Sequence, residues 1–257
     1  MLLLKLAAAP AVVWLSSQAG RRFGHRVAGL LGGFPLIAAP IVLFVALESS
    51  PASAAELAWV TMAVAPGIAV HCFVYAWLAR LGLRWPGCLL LAWVSCVGVA
   101  WVLSGWVIRG LGGFALALGL GLAIAAAMPR TRGTPAPAAI PGSEILVRMA
   151  SALALAALVM LGSAHFGTRI SGVLLGFPIT ASVLPVFTLK LHGAEATVRL
   201  LSGFTTGLLG FAMHFYVFAT ALPILGPLGA FAGGFAACVA TVSLVLHWQR
   251  RRAEGRG

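Results

Sequence analysis

The stretch FGHRVAGLLGGFP at residues 23–35 returns as FGTRISGVLLGFP at residues 166–178, 143 positions further along the chain. Over residues 23–44, ten of the 22 positions are identical to the residue 143 places later, without a gap. The same offset pairs His71 with His214. A chain rich in Ala, Leu and Gly gives scattered identities by chance, but not a shared pattern with a histidine in register. The sequence therefore predicts an internal duplication.

The composition excludes two broad classes of protein. Of the 257 residues, 61% are hydrophobic and 9% are charged, and the mean hydropathy is +1.04. Such a chain cannot cover itself with polar surface, which excludes a soluble enzyme and a disordered chain. All five acidic residues are Glu, which argues against carboxylate metal sites and paired-carboxylate catalysis. The net charge of +12 comes from basic residues between long apolar runs, which favours an anionic membrane surface over nucleic acid.

Runs of about 20 apolar residues predict an all-α integral membrane protein with about nine transmembrane helices. The nine candidate spans are residues 3–20, 27–47, 57–79, 86–106, 109–128, 145–163, 169–189, 198–221 and 225–248.

An outside N-terminus places 14 of the 17 Lys and Arg residues on the inner side, leaving Lys5, Arg109 and Arg169 outside. This asymmetry predicts a cytoplasmic C-terminus in a bacterial-type inner membrane. The first span is a poor signal peptide, because only Lys5 precedes its apolar core and Arg21 and Arg22 follow it.

The duplication divides the chain into two repeats of four spans with one span between them. We expect repeat 1 at residues 1–106, a linker helix and cytoplasmic loop at 107–143, repeat 2 at 144–249 and a basic tail at 250–257. Equivalent spans are then five crossings apart and run in opposite directions, so the repeats form an inverted pair. This architecture resembles inverted-repeat secondary transporters with broken helices in general, and such a resemblance implies alternating access around a midplane site.

The shared motif lies where a break in the second span of each repeat would form such a site. Pro removes an amide donor and Gly permits non-helical angles, so Pro35 and Pro178 would begin new half-helices near the middle of the bilayer. The exposed helix N-termini would suit an anionic or dipolar ligand. Alternatively, the glycines only pack helices together and the prolines only kink them. The motif residues predicted to bind ligand are Gly33, Phe34, Pro35, Gly176, Phe177 and Pro178.

Two arginines and two histidines complete the candidate binding residues. Arg26 and Arg169 would capture a carboxylate or phosphate at the mouths of the pathway, or they anchor the chain to headgroups. His71 and His214 lie inside apolar runs, where they would couple or gate transport, or simply bond to a carbonyl or hydroxyl. Ligation of one haem by both is disfavoured, because inversion places them at different depths.

We expect a small secondary transporter for an anionic, zwitterionic or lipid-like molecule. A channel or lipid scramblase is the first alternative, and a non-catalytic subunit of a membrane complex is the second. No nucleotide-binding loop, zinc-protease motif or nucleophile elbow occurs in the sequence, so we expect no enzyme, no catalytic residues, no metal and no cofactor. The expected partners are the substrate and membrane lipids, without nucleic acid. Glycine-rich faces that would support a homodimer are formed by Gly112, Gly113, Gly119 and Gly121.

Overall fold

Helices carry almost all of the chain that the structure describes. The computed structural model describes residues 2–131, 141–147, 149–151, 153–154, 157, 170, 173–174 and 176–254. This part of the chain contains no β-strand, which confirms the all-helical fold. The first six helices are α1 (Leu2–Phe23), α2 (His25–Gly32), α3 (Ala38–Glu48), α4 (Pro51–Arg80), α5 (Trp85–Gly105) and α6 (Gly110–Ala127).

The last helical run, α7 (Ile179–Glu254), bends twice. Gly193 has φ 78° and ψ −176°, and Gly226 has φ 67° and ψ 176°, both outside the helical region. Glycine adopts positive φ without a Cβ clash, so the chain can turn sharply at these two positions. We call the three parts α7a (179–192), α7b (194–225) and α7c (227–254).

The helices indicate a multi-pass membrane protein. Four helical stretches are long and apolar enough to cross a membrane, namely Pro51–Arg80, Trp85–Gly105, Gly110–Ala127 and Thr180–Gln249. The outer face of α5 exposes large apolar side chains such as Leu90, Val94 and Trp101. Such a surface fits lipid rather than water.

The count of nine separate transmembrane helices is not confirmed. The span predicted at 27–47 is divided between α2 and α3, because residues 33–37 leave the helical path. The two spans predicted at 198–221 and 225–248 lie in the continuous run of α7. Most of the span predicted at 145–163 lies outside the described residues. Pro35 does not begin α3, whose N-cap is Ile37, whereas Pro178 directly precedes the first residue of α7.

The centre of the molecule is formed by α4 and α7b. Buried side chains of both helices, among them Met62 and Phe215, pack with α3 and α6 in one apolar cluster. A second cluster joins Tyr75 of α4 and Ala92 of α5 to Phe204 of α7b. His71 and His214 therefore lie on the two most enclosed helices.

The linker helix α6 is tied to α4 at both ends. Arg109, just before α6, forms an exposed ion pair with Glu56 near the start of α4. At the other end, the Trp77 indole donates to the carbonyl of Ala127 at 3.2 Å. The two helices therefore run parallel, as expected if one helix crosses the membrane between them.

Candidate ligand-binding site

The repeat 1 motif is packed tightly against α7b. A Cβ added at Gly29 would overlap the carbonyl oxygen of Leu200, and one at Gly33 would overlap that of Phe204. In return, a Cβ at Gly207 would overlap the carbonyl oxygen of Leu30. Small residues on both helices thus bring the backbones into contact, which is the packing alternative raised by the sequence. Phe34 and Pro35 lie between α2 and α3 and are half-buried and buried.

The described end of the repeat 2 motif, residues 176–178, lies beside open space. Gly176 and Pro178 are buried, and Phe177 contributes its half-buried ring to the wall of a cavity of about 630 Å³. The cavity lies between α5, α7a and four described residues of the segment between α6 and α7, which are Val147, Ser151, Ala154 and Leu174. Its lining residues are Trp85, Leu89, Trp93, Val147, Ser151, Ala154, Leu174, Phe177, Ser182, Val183, Val186 and Phe187.

A short chain of hydrogen bonds holds the inner wall of this cavity in place. The indole Nε1 of Trp93 donates to Oγ of Ser182 at 2.8 Å. The same hydroxyl donates to the carbonyl oxygen of Pro178 at 2.6 Å, and the rings of Trp93 and Phe177 have centroids 5.7 Å apart. The motif of repeat 2 is thereby joined to a helix of repeat 1. Among the described lining residues, Ser151 and Ser182 are the only ones with polar side chains apart from the indole N–H groups.

The arginine of the repeat 1 motif is bonded to the last part of α7. Arg26 is exposed at the start of α2 and donates to Oε1 of Gln249, near the end of α7c, at 2.7 Å. Arg169 lies outside the described residues. Lys190, at the end of α7a, holds its Nζ 4.9 Å from the ring centroid of Trp85, which lines the cavity. The structure therefore brings a cation to the cavity that the sequence analysis did not select.

The two equivalent histidines have different partners. Both side chains are fully buried. Nε2 of His71 lies 3.1 Å from the carbonyl oxygen of Ala181, and this is the only hydrogen bond of the ring within the described chain. Neither ring nitrogen of His214 has a hydrogen-bond partner among the described residues. Its ring instead lies against Phe215, Phe218, Phe231 and Phe235, with centroids 4.7–6.2 Å away.

The described residues contain no cluster of three or more His, Cys, Asp or Glu side chains suited to a metal ion. The chemistry that the cavity offers is apolar contact, aromatic faces and a few hydroxyl or indole groups. Groups of these kinds are suited to binding and orienting a ligand.

Sequence reasoning selected Phe177 but missed Trp93 and Lys190 as its neighbours. A tryptophan in an apolar helix is most often a packing or interface residue, so nothing local distinguishes Trp93. Trp93 and Ser182 are 89 positions apart, and only the folded chain brings them together.

Comparisons with known proteins give no relative for this chain. No protein-family model, no curated protein and no solved structure matches it.

Proposed function

We propose that the protein is an inner-membrane secondary transporter that moves an anionic, zwitterionic or lipid-like small molecule by alternating access. One observation carries this proposal. The first copy of the motif is closed against α7b, whereas Phe177, in the described part of the second copy, borders a cavity. In inverted-repeat transporters the two halves exchange such arrangements when the protein changes the side to which it opens.

Contacts between helix ends support an inverted relation of the repeats. Lys190 meets Trp85, so the end of α7a and the start of α5 share one side of the molecule. The ring of His25, at the start of α2, lies 4.8 Å from that of His192, which is also at the end of α7a. The start of the second span of repeat 1 and the end of the second span of repeat 2 are therefore on the same side, as inversion requires.

Packing across the molecule supports the same relation. Leu30 in α2 contacts Gly207 of α7b, and Val173, its counterpart, packs against the cluster formed by Val60 and Val64 of α4 with Ala100 of α5. Gly207 and Val64 are themselves separated by 143 positions. Each repeat thus lays its second span on the third span of the other.

The histidines provide a switch between the two states. In this arrangement His71 bonds to Ala181, and the counterparts of these residues are His214 and Ala38. After exchange, the ring of His214 would bond to the carbonyl of Ala38 and His71 would lose its partner. The unpaired ring of His214 is a cost of the present state that the exchanged state would remove.

The test is counterflow in vesicles that contain the purified protein. A ligand is first identified by thermal stabilisation in detergent with anions, amino acids and lipid headgroups. A carrier gives saturable uptake that unlabelled ligand inside the vesicle accelerates. Bridging His25→Cys and His192→Cys with a short bis-maleimide should abolish counterflow, because these residues join the two repeats. The same bridge between Trp77→Cys and Ala127→Cys, within the α4–α6 unit, should leave it intact.

A channel or scramblase is the second candidate, favoured by the almost wholly apolar lining of the cavity. Flux that neither saturates nor responds to ligand on the opposite side would favour that candidate and would exclude the carrier. Absence of exchange for every stabilising ligand would exclude both.

A further inference from the structure

We propose that the cavity between α5 and α7a binds one anionic amphiphile with a single hydrocarbon chain, with its headgroup at Lys190 and its chain against Trp93 and Phe177. This inference rests on the proposed transport function and names the substrate class of that site.

The cavity has the size and surface for one hydrocarbon chain. Its volume of about 630 Å³ falls within the range of about 300–1,000 Å³ typical of sites for one small molecule. Its walls are the rings and aliphatic chains of residues such as Leu89, Val183 and Phe187. A sugar, an amino acid or an inorganic anion would leave its polar groups without partners on such walls.

The cavity also has a direction. Trp85 and Trp93 both line it, and Trp93 lies eight residues further along the helix, which is a rise of about 12 Å. On the opposite wall, Phe187 lies close to the end of α7a, and Ser182 lies more than one turn deeper. The cavity therefore extends from the start of α5 and the end of α7a towards the motif of repeat 2.

Positive charge is found at the end of the cavity that is nearest to the start of α5. Lys190 is exposed and lies over the ring of Trp85, and Arg84, also exposed, directly precedes Trp85. None of the described residues that line the cavity is charged. A cationic rim above an apolar interior is complementary to a carboxylate or phosphate joined to a hydrocarbon chain.

The headgroup must supply most of the selectivity. A hydrocarbon chain gains little by leaving lipid for an apolar protein wall, because both surroundings are equally apolar. Binding should therefore depend on negative charge and on a single chain that fits the cavity. Fatty acids and lysophospholipids share this chemistry, and the experiment distinguishes the two.

The test uses quenching of tryptophan fluorescence by brominated chains, with the full-length protein in nanodiscs of zwitterionic lipid. The probes are 9,10-dibromostearate, dibrominated lysophosphatidylglycerol, the brominated alcohol of equal chain length and a brominated two-chain phosphatidylcholine. We expect saturable quenching by one or both anionic single-chain probes, and only weak, unsaturated quenching by the alcohol and by phosphatidylcholine. Preference for the carboxylate or for the phosphate probe identifies the source of the headgroup.

Four variants locate the quenching. Trp93→Phe should remove most of the saturable part. Val183→Phe, which fills the cavity, should abolish saturation, whereas Val94→Phe on the exposed face of α5 should retain it. Lys190→Gln should raise the apparent Kd about fivefold, the effect of one partly exposed ion pair, and Lys190→Arg should restore it. Melting curves of each variant verify that it is folded.

Equal, unsaturated quenching by all four probes would mean contact with ordinary surrounding lipid and would overturn the proposal. Retained saturation in Val183→Phe would also overturn it. The two proposals can fail separately. Saturable binding without counterflow would leave the site and exclude the carrier, whereas counterflow of another ligand without this binding would leave the carrier and exclude this substrate class.

Discussion

At the scale of single residues, glycines determine how closely α2 and α7b approach. Gly29, Gly33, Gly203 and Gly207 leave no room for a methyl group, because each faces the backbone of the other helix. Gly98, on the exposed face of α5, has nothing within 4 Å of the position of a Cβ. The same change of one methyl group should therefore have opposite consequences at the two kinds of site.

Gly207→Ala should lower the free energy of unfolding by about 1–3 kcal/mol, because the helices must separate to admit the methyl group. Gly98→Ala should have no cost and should stabilise the helix by up to about 1 kcal/mol. Titration with sodium dodecyl sulfate in mixed micelles measures both. Equal stability of the two variants would contradict the close approach.

The two histidines should also differ in their effect on stability. His71→Leu removes the hydrogen bond to Ala181 and should lower the free energy of unfolding by about 1 kcal/mol. His214→Leu removes a buried polar ring without a described partner and should be neutral or stabilising. Both variants should nevertheless slow counterflow, because each histidine makes its bond in one of the two states. Normal counterflow in His214→Leu would exclude the exchange of partners.

At the scale of helices, one hydroxyl joins α5 to α7a. Ser182 accepts from the indole of Trp93 and donates to the carbonyl of Pro178, so it fixes the start of α7 against a helix of the other repeat. Ser95, on the same α5, donates only within its own helix, to the carbonyl of Leu91 at 2.8 Å. Comparing variants of Ser182 and Ser95 therefore distinguishes the effect of a hydrogen bond between helices from that of one within a helix.

Ser182→Ala should lower the free energy of unfolding by about 1 kcal/mol, and Ser95→Ala should change it by less than about 0.5 kcal/mol. The Ser182 variant should also shift the tryptophan emission, because it removes the partner of one indole. Unfolding curves and emission spectra of the two variants provide the comparison. An unchanged spectrum in Ser182→Ala would contradict the contact with Trp93.

At the scale of the whole molecule, the distribution of basic residues predicts which ends of the helices face the cytoplasm. We expect Ser53→Cys, in the first turn of α4, to react with a membrane-impermeant thiol reagent added outside intact cells. Gly142→Cys, after α6, should react only after the cells are permeabilised. The four native cysteines are buried and give a low background. The reverse labelling pattern would invert the proposed topology.

The sequence alone was sufficient for the membrane class and for the positions of most helices, because apolar length and turn residues are local properties. The span at 109–128 agrees within a residue with α6, and Gly33, Phe34 and Pro35 of the repeat 1 motif lie in the gap between α2 and α3. The site itself was only half accessible to this reasoning. Phe177 belongs to a motif, whereas Trp93 and Lys190 take part through contacts between distant segments. The sequence also could not show that Phe177 borders a cavity whereas Gly33 lies against α7b, because residues shared by the two copies give the same expectation for both.

The double attachment of α6 to α4 has a consequence for energy balance. The duplication leaves α6 without a counterpart. Its contacts with α4 are therefore present in one half of the molecule only. In a perfectly doubled chain, the two proposed states would be related by symmetry and would have equal free energy. The presence of α6 in one half makes their free energies differ. A difference of about 1.4 kcal/mol already gives a tenfold excess of one state at rest. In the proposed transport cycle, α6 would therefore give the molecule a preferred resting side, and a ligand would have to bind more tightly to the opposite state to reverse that preference.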